Sequence, residues 1–335
     1  MVLSIIRCYI LFLLPLFFFI KEEQRQYVIQ GYAQGTDYTI KYFAADSVVS
    51  KAEIDSILVL IDSSMSLYKP YSQINKFNNS EAGLRLDKHF QKVIKRSFEI
   101  SKDTRGKFDV TVAPLVQAWG FGAKAISGFP DSLEIKRLLE FTGMKYLRLK
   151  KDYLSKWRPE VKVDLNGIAQ GYSVDVVADH LISRGLKSFV VEIGGELRMK
   201  GPKPDGTAFR VGIEGPSPVA NAEPVMRHVV ALNEGAITTS GNYRKFLQRG
   251  SKKITHLIDP KTGYPLENTM ISVTVYAKDA ITADGYDNAL MGMDMKSALA
   301  FVAVRKGMEV YMIYHRPDGS VADTLSKGFK RIIAD

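Results

Sequence analysis

The sequence predicts an α+β fold in which helices flank mixed sheets. Segments with the two-residue alternation of strands and segments with the apolar spacing of helices follow one another along the chain. They do so without a regular βαβ repeat, so a doubly wound parallel sheet is not expected. A hydrophobic fraction of 46% over 335 residues is ordinary for a folded protein with a sizeable core.

The first half of the chain predicts a hairpin followed by helices. Residues 28–43 alternate polar and apolar side chains around a glycine-rich turn, the pattern of two antiparallel strands. Pro and Gly interrupt residues 107–122 too often for one regular element. Three segments space their Ile, Leu, Val and Phe residues as helices do, at 51–66, 87–103 and 132–141.

The second half predicts mostly strands, with two helices. Residues 161–185 predict a strand, a glycine turn and a helix, and residues 189–201 predict a strand interrupted by Gly194 and Gly195. A helix that opens at Thr282 is expected to continue through residue 304. Further β structure is expected at 209–216, 229–241 and 272–277, and as a hairpin with a Pro-Asp-Gly turn at 309–321.

Residues 1–26 differ from the rest of the chain and predict a targeting segment. Arg7 precedes an apolar run at 8–20, and a polar stretch follows it. The run is shorter than the about 20 residues that a spanning helix needs, and no A-x-A cleavage site follows. The segment could be a cleaved signal peptide or an uncleaved membrane anchor. A third interpretation is an apolar N-terminal strand of the fold. Either targeting role places the folded part, residues 27–335, outside the cytoplasm.

Charge and cysteine content exclude several kinds of site. The chain has 46 Lys and Arg against 36 Asp and Glu, and the formal net charge of +10 favours an anionic partner. Nucleic acid, a phospholipid surface and a phosphorylated small molecule all qualify, but no dense Lys/Arg run marks a nucleic-acid face. Cys8 is the one cysteine, which excludes an intrachain disulfide and a Cys₂His₂ or Cys₄ zinc site.

Four segments concentrate glycine with side chains that bind ligands, at 164–171, 238–244, 256–265 and 282–288. Glycines in the first segment let the backbone approach a ligand, and N–H groups at the start of the following helix suit an anion. The second segment offers hydroxyls and Arg244, whose guanidinium could grip a phosphate. Both segments also have a purely structural explanation. The first could be an ordinary strand–helix turn, and the second could be a loop capped by Ser and Thr.

The other two segments supply the candidates for catalysis. His256 precedes a rigid polar turn, and an imidazole titrates near neutral pH, although a lone histidine is as often structural. Asp284 and Asn288 are four residues apart, so they share one face of the predicted helix, with Asp287 between them. Two or three hard oxygen ligands on one face suit Mg²⁺, whereas helix capping would explain only one of them.

Seven stretches of the chain, in this order, resemble the ApbE-type flavin transferases, the FAD:protein FMN transferase family. The first is GYAQGTDY and the second SLYKPYSQINKFN, and the third combines FDVTVAPLV with WGFG. The resemblance covers nearly all of the chain after the leader. The seven stretches are 31–38, 66–78, 108–122, 164–171, 194–195, 239–241 and 256–265.

The resemblance implies a reaction and its ligands. The enzyme would bind FAD as substrate and Mg²⁺ as cofactor, move the FMN half onto a threonine or serine hydroxyl of a target protein, and release AMP. The implied metal ligands are the Gly167 carbonyl, Asp284 and Asn288, and the family usually has Thr or Ser at the last position. The implied flavin site lies between two lobes and uses Gln34, Tyr71, Ser72, Trp119, Gly120, Phe121, Asp164, Gln170, Ser240, Gly241, Arg244, His256 and Ile258.

Several choices stay open at the level of sequence. Either His256 or Asp284 could take the proton from the acceptor hydroxyl. An FAD pyrophosphatase would use the same metal site with water as the acceptor, and a non-catalytic FAD-binding protein would need only the flavin contacts. The resemblance implies a target among the extracytoplasmic subunits of ion-pumping electron-transport complexes, with the inner membrane as a further partner if the leader is uncleaved. No nucleic-acid partner is expected.

Overall fold

Strands and helices alternate irregularly along the chain, as the sequence predicts. The computed structural model describes residues 23–217, 224–243, 246–249 and 252–334. The helices there are α1 (Lys51–Met65), α2 (Gln73–Asn79), α3 (Lys88–Asp103), α4 (Ala113–Ala118), α5 (Ser132–Leu139), α6 (Ala169–Ser183), α7 (Ala280–Met291) and α8 (Met295–Ala303). The strands are β1 (Arg25–Ala33), β2 (Thr36–Ala44), β3 (Gly83–Arg85), β4 (Leu147–Lys150), β5 (Tyr153–Lys156), β6 (Phe189–Ile193), β7 (Glu196–Lys200), β8 (Phe209–Gly215), β9 (Val225–Leu232), β10 (Glu234–Gly241), β11 (Phe246–Arg249), β12 (Lys252–Thr255), β13 (Met270–Ala277), β14 (Glu309–His315) and β15 (Val321–Leu325).

An eight-stranded antiparallel sheet forms the centre of the protein. Its strand order is β1-β2-β6-β7-β10-β13-β14-β15, so strands from both ends of the described chain meet in one sheet. Three two- or three-stranded sheets surround it, made of β3-β5-β4, β8-β9 and β11-β12. The mixture of one large sheet with small satellites and helices confirms the α+β prediction.

Different elements cover the two faces of the large sheet. On one face the apolar side chains of β2 and β6 pack against α1 and α6, and those of β13 and β14 pack against α3, α7 and α8. On the other face the β8–β9 hairpin covers β10, β13 and β14. A fourth cluster, built from Leu115, Trp119, Ile135 and Ile254, lies apart from these three.

Most predicted elements form where the pattern placed them. The hairpin at 28–43, the helices at 51–66, 87–103 and 132–141, and the hairpin at 309–321 are all present. Strand β1 begins at Arg25, two residues before the start expected for the folded part. Residues 1–22 of the leader lie outside the described part of the chain. Within that part, no helix is long and apolar enough to cross a membrane.

Two predicted elements were wrong. Residues 161–164 form no strand, because the Asn78 side chain satisfies both backbone groups of Val163, at 2.8 and 2.9 Å, where a neighbouring strand would have done so. The helix expected from Thr282 through residue 304 is two helices. Gly292 ends α7, and Asp294 caps α8 by accepting a hydrogen bond from the Ser297 amide.

Candidate active site

Four oxygen atoms converge on the side-chain amide of Asn288. Its Nδ2 lies 3.3 Å from the Gly167 carbonyl, 3.1 Å from the Asp284 carbonyl and 3.3 Å from the Asp284 carboxylate. The Asp287 carboxylate is 3.0 Å away. An amide group has only two N–H donors, so four acceptors around it are more than it can serve. This concentration of oxygen atoms is the environment that a cation would occupy.

A close approach of two helices brings these oxygens together. The Gly171 amide in the first turn of α6 donates to the Asp284 Oδ2 in α7, at 2.8 Å. A Cβ atom at Gly171 would lie 2.3 Å from the Ala280 carbonyl and 2.7 Å from the Asp284 Cβ, so a side chain there would force the helices apart. Gly171 is therefore required for the close packing of α6 against α7, and this packing also brings the oxygen atoms of the candidate site together.

Asp284 belongs to a cluster of three carboxylates, of which Asp284 and Asp287 are buried and Glu196 is half-buried. Asp287 accepts hydrogen bonds from Thr238 Oγ1 at 2.6 Å and Ser240 Oγ at 3.0 Å, and Glu196 accepts one from Gln170. Burial raises the pKa of Asp284 to about 7. Burial together with the neighbouring negative charges raises the pKa values of Asp287 and Glu196 well above their ordinary range. Packing like charges in a dry site is unfavourable unless a cation joins them.

A further buried carboxylate, Asp175, fixes the start of α7. Asp175 in α6 accepts hydrogen bonds from the amides of Ala280 and Ile281, at 2.9 and 2.8 Å, and it pairs with Arg198 at 2.9 Å. Burial raises its pKa to about 6. Because α7 carries Asp284 and Asn288, this bond network sets where both side chains lie relative to Gly167 in the loop before α6.

The 164–171 turn presents a helix N-terminus next to the oxygen cluster. Asp164 accepts a hydrogen bond from the Asn166 amide at 2.8 Å, and burial raises its pKa to about 6. Helix α6 begins after Ile168, whose side chain makes no capping hydrogen bond, and the first-turn amides of Ala169 and Gly171 donate to the Leu165 carbonyl and to Asp284. Asp284 thus lies at the positive end of the α6 dipole, and the anion expected from the sequence at this turn stays a prediction. Gln170 is turned toward β6 and β7, where its Nε2 donates to the Ile193 carbonyl at 2.9 Å and to Glu196.

His256 lies where two hydrophobic clusters meet. Its neighbour Leu257 packs against the large cluster beneath the central sheet, and Ile258 packs against the separate cluster around Trp119. The His256 ring makes an edge contact with Phe121, with ring centroids 6.1 Å apart. The half-buried imidazole thus stands at a seam between two parts of the protein, beside an aromatic ring.

The turn after His256 is held rigidly. The Asp259 carboxylate accepts from the Lys261 and Thr262 amides, at 2.7 and 3.3 Å, and pairs with Lys107 at 3.3 Å. Trp119 Nε1 donates to the Gly263 carbonyl at 2.8 Å. These bonds fix the backbone on which His256 is carried.

The aromatic candidates differ in how accessible they are. Trp119 is only 6% exposed and packs inside its cluster, with Phe129 and Tyr264 against it. Phe121 is half-buried, and Tyr71 is 56% exposed at the surface. Phe121 and Tyr71 can therefore offer a ring face to a ligand as they stand, whereas Trp119 supports the loop that carries His256.

The other predicted flavin contacts have structural partners of their own. Ser72 is fully buried and caps α2 by accepting from the Asn75 amide, and Gln34 at the tip of the β1–β2 turn lies near the Asp62 carboxylate. Most of the remaining positions lie either beside the carboxylate cluster of Asp284 and Asp287 or in the hydrophobic cluster around Trp119. Ser240 and Gly241 end β10 beside Asp287, Gly120 and Ile258 lie near Trp119, and Arg244 lies outside the described residues.

The residues around Asn288 fit a magnesium ion by the chemistry of their donors. A half-turn of the Asn288 amide would present its oxygen beside the Gly167 carbonyl and the Asp284 carboxylate, which are the hard donors that Mg²⁺ prefers. Among the residues that the structure describes, no group of three or more His, Cys, Asp or Glu has the arrangement of a metal site. The fit therefore rests on the mixed set of carbonyl, carboxylate and amide.

The chain matches the family model of the ApbE family over residues 34–312. The chain belongs to the ApbE family. It is 37% identical to an FAD:protein FMN transferase of Vibrio cholerae, over 94% of this chain and 95% of that one. It is 33% identical to the enzyme of the same name from Haemophilus influenzae, over 93% of each chain. These matches confirm the family resemblance that the sequence motifs indicated.

Solved structures of the ApbE family share this fold. The structure of the flavin transferase ApbE from Vibrio cholerae is similar with a TM-score of 0.83 and 36% identity, over 92% of this chain and 100% of that chain. The apo form of the Pseudomonas stutzeri flavinyl transferase is similar with a TM-score of 0.81 and 31% identity, over 93% and 98% of the two chains. Both agree with the α+β architecture.

Sequence reasoning missed part of this candidate site. Asp287 was noticed only as the neighbour of Asp284, and Glu196 and Asp175 were not selected. The signal for Glu196 was its position directly after Gly194 and Gly195, where the positive φ angles of 61° and 105° turn the chain back into the sheet. Nothing in the local pattern marked Asp175, since its role depends on the distant start of α7.

Proposed function

We propose that the chain transfers the FMN half of FAD onto a threonine or serine hydroxyl of a target protein, with AMP as the second product. The names of the relatives, FAD:protein FMN transferase, support an FAD substrate and a protein acceptor. The observation that carries the proposal is the convergence of Gly167, Asp284 and Asn288 beside the first turn of α6. A site that combines a cation position with a helix N-terminus suits a pyrophosphate.

The chain's own residues supply the positioning that such a transfer needs. Gly167, Asp284 and Asn288 would hold Mg²⁺, which supplies charge neutralisation for phosphate oxygens. The positive end of the α6 dipole would attract a second phosphate beside the metal position. Phe121 and Tyr71 would give ring surface to the isoalloxazine. Phosphoryl transfer depends mainly on such alignment and electrostatics, since little covalent help is required.

A base must take the proton from the acceptor hydroxyl as its oxygen bonds to the FMN phosphorus and the bond to the AMP phosphate breaks. His256 is our first candidate, because its half-buried imidazole lies at the seam beside Phe121 and is not among the metal donors. Asp284 is the rival, since a carboxyl with a pKa near 7 could accept a proton. A carboxylate that holds a metal is a weaker base, which favours His256.

One incubation tests the proposal against its two alternatives. The full chain is mixed with FAD, Mg²⁺ and a candidate acceptor domain, and the products are analysed after denaturation. Flavin that stays attached to the acceptor supports transfer. Free FMN with AMP would identify a pyrophosphatase, and unchanged FAD would identify a binding protein. An acceptor whose threonine or serine is replaced by alanine is the matched control and should remain unlabelled.

We also propose that the protein acts outside the cytoplasm on a subunit of an ion-pumping electron-transport complex. The leader composition and the reaction implied by the resemblance support this location and this partner. A reporter that is active only outside the cytoplasm, fused after residue 30, should give signal. A silent reporter with a soluble cytosolic product would contradict the location, while leaving the proposed chemistry untouched.

A further inference from the structure

The small three-stranded sheet β3-β5-β4 has one buried and one open face. Leu84, Leu154 and Leu149 are paired across the three strands and pack into the large hydrophobic cluster. Side chains alternate between the faces of a strand, so the residues between these leucines point the other way. Lys156 at the end of β5 also points inward and is 6% exposed.

The open face carries aromatic and cationic side chains together. Arg85, Tyr153 and Lys150 form one cross-strand row, and Arg148 lies in the next row beside Ser155. The amide of Trp157 donates to the Tyr146 carbonyl at 2.9 Å, so the ladder continues for one more pair. The Trp157 ring is 77% exposed, which is unusual for the largest apolar side chain.

Positive charge dominates this region of the chain. Residues 145–160 contain six Lys and Arg against Asp152 and Glu160. Lys145, Arg148, Lys150, Lys151 and Arg158 are all exposed, and in the described part of the chain no salt bridge within 4 Å involves any of these five. Arg85 is partly neutralised by Asp152 at 2.7 Å. The open face and the segments that flank it therefore combine an exposed indole with several cations that form no salt bridge in the described part of the chain.

We infer that the open face of the β3-β5-β4 sheet docks onto an anionic phospholipid surface. Tryptophan and tyrosine prefer the headgroup level of a bilayer, and lysine and arginine near them are attracted to anionic lipids. Several exposed cations on neighbouring strands and turns, together with an exposed indole, suit an extended layer of phosphates better than a single acidic side chain. None of the predicted flavin or metal residues lies on this face, so a docked protein would keep its site free.

Tryptophan fluorescence tests the inference directly, because the chain has two tryptophans and they differ in exposure. Trp119 is 6% exposed and Trp157 is 77% exposed. The full chain is added to vesicles of phosphatidylcholine alone, or of phosphatidylcholine with phosphatidylglycerol, each containing brominated acyl chains as quencher. We expect quenching and a blue shift of Trp157 only on the anionic vesicles, with reversal at high salt. Trp157→Phe should remove the quenched component and leave the Trp119 emission.

A pair of charge variants makes the test specific for the face. Arg148→Glu with Lys150→Glu should shift the equilibrium between docked and undocked protein by roughly 30-fold or more, since each cation near an anionic surface contributes about fivefold. Lys306→Glu with Lys327→Glu makes the same change in net charge at exposed sites outside the β3-β5-β4 sheet and should have a much smaller effect. Equal quenching on both vesicle types would mean that the leader alone holds the protein and would overturn the inference. Absence of quenching, or a Trp157 shift produced by poly-glutamate and not by lipid, would also overturn it.

Discussion

Two buried polar clusters in this protein are organised in opposite ways. Beneath the β3-β5-β4 sheet, Lys156 Nζ donates to the carbonyls of Asn78, Pro159 and Val161, at 3.3, 2.9 and 3.1 Å. The Asn78 side chain completes the network through both backbone groups of Val163. At the α6–α7 junction, by contrast, the Asn288 amide faces two carbonyl and two carboxylate oxygens, more than its two N–H groups can satisfy.

The difference separates a structural network from a binding site. In the first cluster each donor has an acceptor, so the buried groups stabilise the fold and leave nothing to bind. In the second, Asn288 alone serves four oxygens, and the carboxyl pKa values rise because negative charges are buried together. A folded protein keeps such an unfavourable cluster when a ligand resolves it.

The largest expected effect is the loss of transfer when a carboxylate is removed from the α6–α7 cluster. Asp284→Asn should reduce FMN transfer by roughly 10³-fold or more, because a metal ligand stabilises the transition state by several kcal/mol. Thermal unfolding without Mg²⁺ should show unchanged or slightly higher stability, since one of the repelling charges is gone. Asp318→Asn, at an exposed turn, is the matched control. Near-normal transfer at limiting Mg²⁺ would contradict the site.

A variant of His256 tests whether this residue, beside Phe121, takes part in the reaction together with the α6–α7 cluster. His256→Ala should slow transfer by roughly 10²–10⁴-fold, the usual scale for a lost general base. FAD binding, followed by fluorescence titration, should change much less, and the acidic limb of the pH–rate profile should disappear. His315→Ala removes an exposed histidine and serves as the control.

The same measurements distinguish the other roles of His256. If FAD binding weakens as much as transfer slows, the histidine holds the nucleotide and Asp284 becomes the better base. If neither changes, His256 is a structural residue of the loop.

A substitution in the Lys156 network should lower the stability of the fold and leave the transfer rate unchanged. Asn78→Ala strands the N–H and carbonyl of Val163 in the interior, which should lower the free energy of unfolding by about 2–4 kcal/mol. Transfer by the folded fraction should stay within about twofold. Asn79→Ala, at the exposed neighbouring position, should cost less than about 1 kcal/mol. Urea unfolding of both variants gives the comparison, and equal effects would contradict it.

The smallest expected effect is a pH dependence of stability from Lys156. Burial lowers the pKa of its ammonium from 10.5 to about 8. Between those values the unfolded chain binds more protons than the folded one, so stability should rise with pH by up to about 1 kcal/mol per unit. Below pH 8 both states are charged and this contribution is constant. The difference between wild type and Lys156→Met across the range should reveal the slope, and parallel curves would contradict the assignment.

Local patterns predicted most of the fold because alternation and helical spacing are set by nearby residues. The hairpin at 28–43 and the helix at 87–103 follow from such patterns. The strand expected at 161–164 failed because the sequence shows apolar alternation but not which partner will satisfy the backbone. That partner is the side chain of Asn78, 85 residues away.

The sequence by itself determined the family, through motifs that resemble those of the ApbE-type flavin transferases, and the candidate residues Asp284, Asn288 and His256. These follow from residue identity and spacing within short segments. Only the tertiary structure decided that Asp287 and Glu196 join Asp284, and that Trp119 supports a loop from inside a cluster. The physical reason is that burial and charge density depend on contacts between distant segments, which local spacing does not encode.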